Sequence, residues 1–135
     1  MRRIAEALEI QVSDLFDTGA TADSHLVRRA DHPRIAFGDG ATKTLLTAQR
    51  NLQNIEVLQA NLVVGGSTGV NAYAHGDSEE LLVVLSGQVK VEIGDEVHHL
   101  HHGDTLSYSS AQPHRLINAG DQPSELIWIV SPPSY

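Results

Sequence analysis

The chain has 135 residues, enough for one domain with its own core and too few for two full domains. It has no cysteine, which excludes disulfide frameworks, thiolate zinc sites and cysteine nucleophiles. A formal net charge of -8 sets it against phosphate backbones, no apolar run approaches membrane-spanning length, and no signal peptide opens the chain, so a cytoplasmic location is expected.

In chain order, Ile4, Ala5, Leu8 and Val12 recur at helical spacing, and Ser13 is a good N-cap for a second short turn through Phe16. Such a short helix needs a surface to pack on. Asp17 to Ser24 is small and polar, as in a linker. After it the period shifts toward two. Leu26 to Arg29, Pro33 to Phe37 and Lys43 to Leu46 are short strand candidates, with Gly38-Asp39-Gly40 as a turn between the last two. Ile55 to Val64 is a longer alternating strand that Gly65-Gly66-Ser67 is expected to end. Leu81 to Leu85 is apolar throughout, as for a strand buried on both faces. Ser86-Gly87 turns into the alternating Gln88 to Ile93, and Gly94-Asp95 turns again into Val97 to Leu100. Thr105 to Tyr108, Arg115 to Ile117 and Glu125 to Val130 complete the set. Many short strands punctuated by Gly, Asp and Pro predict an all-β sandwich or barrel.

Two clusters carry chemistry. Tyr73 and His75, two apart on an extended segment, share a face. Gly76-Asp77-Ser78 is turn-prone, and Glu80 on the next strand can return to the same interior. Pro113 would fix the approach of the strand bearing His114. Were His75, Glu80 and His114 to converge, they would form a two-histidine, one-carboxylate set. That set suits a divalent Fe, Mn, Ni or Zn ion with positions open to water or substrate. Tyr73 ligates poorly while protonated, but its hydroxyl can hydrogen-bond a bound water or anion. The structural alternatives are a hydrogen-bonded core histidine and a Glu80 paired with an arginine. An empty site, or one that takes an organic ligand against Tyr73, Glu80, His114 and Tyr108, stands beside the metal reading.

The remaining candidates are weaker. His98, His99, His101 and His102 split between two faces and read as solvated strand and turn. Glu79 falls on the face opposite Glu80, Asp104 suits a turn, and Tyr108 and Trp128 fit a core better than a cofactor platform. No Ser-His-Asp spacing, phosphate-binding loop or dinucleotide-binding glycine pattern occurs.

Glu80-x6-Gly87, Gly103-Asp104 and Pro113-His114-x3-Asn118 resemble the two motifs of the cupin superfamily. The family's first motif commonly opens with a His-x-His pair three or four residues before the Glu. With the longer spacing, Tyr73 takes the first His place and His75 the second. With the shorter one, Ala74 and Gly76 fall there and only Glu80 and His114 remain. The resemblance covers residues 26 to 135 and implies a double-stranded β-helix, or jelly-roll barrel, with a short helical appendage. Gly103 to Leu106, Pro113 to Arg115, Asn118 to Asp121, Trp128 and Ser131-Pro132-Pro133 are similar to the cupin half of small bacterial regulators with an XRE-type helix-turn-helix. Arg3 to Phe16 is similar to the last helices of that DNA-binding head. Residues 1–24 are therefore expected to be its remnant and linker, and residues 25–135 the cupin domain.

That resemblance implies a sensor, with a small-molecule effector inside the barrel and a homodimer as the assembly. DNA contact would be made only through an N-terminal domain missing from this chain. A small metalloenzyme of dioxygenase or isomerase type, using the His-Glu-His set, is the alternative.

Overall fold

The computed structural model describes residues 24–47, 52–69 and 71–133. The helix expected over Arg3 to Phe16 lies outside these residues. A single 3-10 turn, Arg29–Asp31, precedes nine strands: β1 Arg34–Phe37, β2 Asp39–Leu45, β3 Glu56–Ser67, β4 Glu79–Ser86, β5 Gln88–Ile93, β6 Glu96–His101, β7 Thr105–Ser109, β8 His114–Ile117 and β9 Ser124–Ser131. All pairings are antiparallel. The strands run β6-β5-β8-β3-β9-β4-β7, with β2 added to β3 and β1 to β2. The sheet curls into a nearly closed jelly-roll barrel. The turn after β6 reaches back to β4, where Gly103 N–H donates to Val84 O at 2.9 Å and Val84 N–H donates to Asp104 O at 3.1 Å.

Alternation builds the core. On β5, β8 and β9 every second side chain is buried. Leu62, Leu82, Val84, Val89, Val91, Leu116 and Leu126 are almost completely enclosed. Each such side chain contributes about 1.5–3 kcal/mol on leaving water. Gly94-Asp95 forms the predicted two-residue turn, with Ile93 opposite Glu96. Gly38-Asp39-Gly40 connects Phe37 to its partner Ala41.

Three strand expectations are corrected. Leu26 to Arg29 is not a strand, because no neighbouring strand pairs with it among the described residues; Leu26 is 73% exposed. Leu81 to Leu85 is not buried on both faces. Leu82 and Val84 point inward, Leu81 and Val83 are half-buried and Leu85 is exposed, because no second layer covers the barrel's outer face among the described residues. Gly65-Gly66-Ser67 does not end β3, which runs on to Ser67. Asn118 takes over the pairing there, accepting from Gly65 N–H at 3.0 Å and donating to Gly66 O at 2.8 Å. Gly66 permits this close approach, since a Cβ there would lie 2.7 Å from Gly40 O.

Candidate functional site

One mouth of the barrel is laced together by backbone bonds. Tyr73 and His114 exchange two, Tyr73 N–H to His114 O at 3.0 Å and His114 N–H to Tyr73 O at 2.8 Å. His75 N–H donates to Ser110 O at 2.9 Å. These bonds hold the connection between β3 and β4 against β8. Glu80 arrives from β4, on the inward face between Tyr108 of β7 and Val130 of β9.

The two strand registers and this lacing bring His75, Glu80 and His114 together. One ligand atom from each lies within 4.8 Å of the others. Among the described residues Glu80 pairs with no arginine; its Oε2 stands 2.9 Å from His75 Nε2. Glu80 and His114 are buried, and His75 is about a third exposed at the mouth. Tyr73 stacks on His75 with centroids 5.7 Å apart and leans on His114 at 4.5 Å. Tyr108 packs on the other side of His114 at 5.1 Å. All the site residues expected from sequence thus lie around one point.

The donors fit a metal ion. His114 Nδ1 lies 2.7 Å from Gln112 O. A carbonyl only accepts, so Nδ1 carries the proton and Nε2 presents its lone pair. That Nε2 is buried with no hydrogen-bond partner among the described residues, and Glu80 Oε2 has its 2.9 Å contact with His75 Nε2. A buried nitrogen acceptor left unmatched beside a carboxylate and a second nitrogen costs stability, about 1–3 kcal/mol. A cation among them would remove that cost. Trp128 Nε1–H donates to the Tyr108 hydroxyl at 2.9 Å, and that hydroxyl hydrogen-bonds Glu80. This chain fixes the carboxylate's orientation from behind. Burial first, then the Glu80 charge, pushes Tyr73 up to about 12. The same order of causes, with the Glu80 hydrogen bond added, holds Tyr108 far above the ordinary tyrosine range. Both are neutral hydroxyls at physiological pH.

Above the trio lies a cavity of about 410 Å³, lined by Phe37, Lys43, Glu56, Leu58, Thr68, Tyr73, His75, Glu80, Trp128 and Val130 among others. Sequence reading missed Lys43, Glu56, Phe37 and Thr68. A signal existed for Glu56, which sits on the face of β3 that also carries Leu58, Ala60 and Leu62.

The other candidates are structural. His98 bonds Glu96 at 3.0 Å, and His99, His101 and His102 are exposed on β6 and its turn. Asp104 accepts from His101 N–H at 2.8 Å within the same turn. Glu79 is solvated. Pro113 O accepts from Gly94 N–H at 2.9 Å, tying the approach to His114 to the β5–β6 turn. Asn118 is fully buried. Its Nδ2 donates to Leu62 O at 3.1 Å and Gln122 O at 2.8 Å, and its Oδ1 accepts from Gly120 N–H at 3.0 Å.

Residues 60–130, just over half of the chain, match the family model described as Cupin domain. No curated protein matches the chain in sequence. Several solved structures share its fold. An RmlC-like cupin from Shewanella frigidimarina superposes with a TM-score of 0.65 at 17% identity, covering 82% of this chain and 92% of that one. A sugar phosphate isomerase of the cupin superfamily from Silicibacter pomeroyi gives 0.65 at 16%, covering 79% and 75%. The Cupin_2 domain of an XRE family transcriptional regulator from Enterobacter cloacae gives 0.62 at 18%, covering 70% and 98%.

Proposed function

Because the chain belongs to the cupin family, we propose that it is the effector-binding domain of a transcriptional regulator, taking a small molecule into the barrel above a divalent ion held by His75, Glu80 and His114. The observation that carries this reading is the junction of a 410 Å³ cavity with the converging donor atoms of His75, Glu80 and His114, of which His114 Nε2 has no hydrogen-bond partner among the described residues. Pockets of this size with apolar walls and a few converging polar groups suit small metabolites. The regulator part is supported by the likeness to the Enterobacter cloacae domain and by the similarity of Arg3 to Phe16 to the end of a helix-turn-helix. On this reading the protein works in the cytoplasm as a homodimer, and DNA is contacted through a helix-turn-helix head and not through the barrel. Exposed edge strands such as β1, which carries the 51% exposed Ile35, suit pairing across a two-fold axis.

When bound, a divalent ion supplies a positive centre that polarises an oxygen or nitrogen of the ligand. The protein's own groups do the rest. Tyr73 offers a neutral hydroxyl in the cavity wall, and the Trp128–Tyr108–Glu80 chain keeps the carboxylate aimed. Ligand closure signals only if it favours one conformation over another.

A second reading, a small metalloenzyme of isomerase or dioxygenase type, draws on one specific observation. Glu56 faces the same cavity as the trio and is placed as an acid–base carboxylate. Trp128 is the chain's single tryptophan and lines the cavity, so its fluorescence reports occupancy directly. The test is elemental analysis of untagged protein, followed by a metabolite screen on that signal. Metal near one per chain that is lost in Glu80→Ala, with a ligand bound and recovered unchanged, is expected. Turnover of the bound ligand would shift the assignment to the enzyme, and a metal-free protein that binds nothing would overturn both.

A further inference from the structure

The cavity is electrically polarised along its β3 wall. Glu56 pairs with Val130, which in turn pairs with Glu80, so the two carboxylates share one row across β3, β9 and β4. Lys43 lies opposite Ala60, four positions further along β3. At about 3.3 Å per residue, the two rows are about 13 Å apart. Leu58 and Trp128, opposite each other between them, form an apolar middle.

Lys43 is the one lysine or arginine in the cavity wall, and among the described residues it forms no ion pair. Its Nζ sits 5.1 Å from the centre of the Phe37 ring. The chain carries 17 acidic residues against 9 basic ones, yet among the described residues no carboxylate lies within ion-pair distance of this half-buried ammonium. A cation held over an aromatic face beside an apolar wall is a receptor for an anion whose body is apolar. Orientation follows, because Glu56, which is outside the trio, disfavours a negative group at the opposite end.

We infer that the ligand is a small organic acid whose carboxylate is held by Lys43, with its apolar part against Phe37, Leu58 and Trp128. This rests on the reading of the cavity as the ligand site and names the class of molecule it takes. The test uses matched probes: hexanoate against hexanamide, and 3-phenylpropionate against 3-phenylpropionamide. Binding is measured by calorimetry and Trp128 fluorescence on the protein as purified.

The acids are expected to bind at least about tenfold more tightly than the amides, the effect of one charge-assisted contact. Lys43→Met should lower acid affinity to that of the matched amide, and Lys43→Arg should restore the preference. Lys43→Gln serves if the Met variant melts early. Amides binding as well as acids would overturn the inference and leave the cavity reading standing. So would an acid preference that survives in Lys43→Met or that disappears in Glu80→Gln, which puts the anion at the trio. Failure of all four probes at millimolar concentration would overturn the inference and count against the cavity reading itself.

Discussion

Replacing Glu80 by Gln should move stability in opposite directions with and without metal. In the metal-free protein, Glu80 Oε2 is a buried charged acceptor in contact with His75 Nε2 at 2.9 Å, near a His114 Nε2 that has no hydrogen bond among the described residues. The amide keeps the shape and the bond to Tyr108 but removes a buried charge. The expected gain is about 1 kcal/mol, less than the full cost of an unmatched group because the His75 contact at 2.9 Å offsets part of it. With Mn, Fe, Ni or Zn at a hundredfold excess over its dissociation constant, the wild type should gain about 2.7 kcal/mol. For a domain of this size that is roughly 10 °C in melting temperature. Gln ligates poorly, so the variant should lose most of this gain. Calorimetric melting of chelator-treated protein, with each metal added back, reads both arms. A variant destabilised equally in both states would make Glu80 a structural residue, and a wild type whose melting ignores all four metals would refute the metal argument.

Other expectations follow from single geometries. Asn118→Asp replaces an NH₂ that serves two carbonyls with an oxygen that repels them, and should cost about 3 kcal/mol in urea unfolding; a cost below about 1 kcal/mol would show that the network yields. Gly87→Ala puts a Cβ 2.6 Å from Pro123 O at a φ of +75°, and should also cost about 3 kcal/mol, with a near-neutral result contradicting the close approach. Tyr73, at about 12 in the folded state against an ordinary 10, binds its proton more tightly when folded. Its contribution is therefore fully present below pH 10 and is lost between pH 10 and 12. Tyr73→Phe should flatten the alkaline fall in stability; an unchanged slope would remove Tyr73 from that role.

Much of the barrel is legible locally. Gln88 to Ile93 and Glu125 to Val130 alternate because one face of each is core, and glycine-bearing turns mark where the hairpins reverse. Leu26 to Arg29 reads as a strand yet is not one, since strand propensity is realised only when another edge supplies hydrogen bonds. Leu81 to Leu85 reads as doubly buried because an apolar run does not reveal whether a second layer covers it. At the site, Glu80 and His114 stand out by motif. His75 is a matter of choosing between two spacings, and the bridge from Tyr73 to His114 places its ring beside Glu80.

The sequence by itself determined the all-β class, most strand positions and the residue types able to hold a cation, because periodicity and turn chemistry are properties of neighbours in the chain. Tertiary structure alone decided that His75 and His114 face one carboxylate, that Glu56 shares a row with Glu80 through Val130, and that Lys43 stands at the far end of the same wall with no ion pair among the described residues. Those facts depend on the register between strands distant in sequence. A slip of one residue in any pairing would turn each of these side chains to the other face.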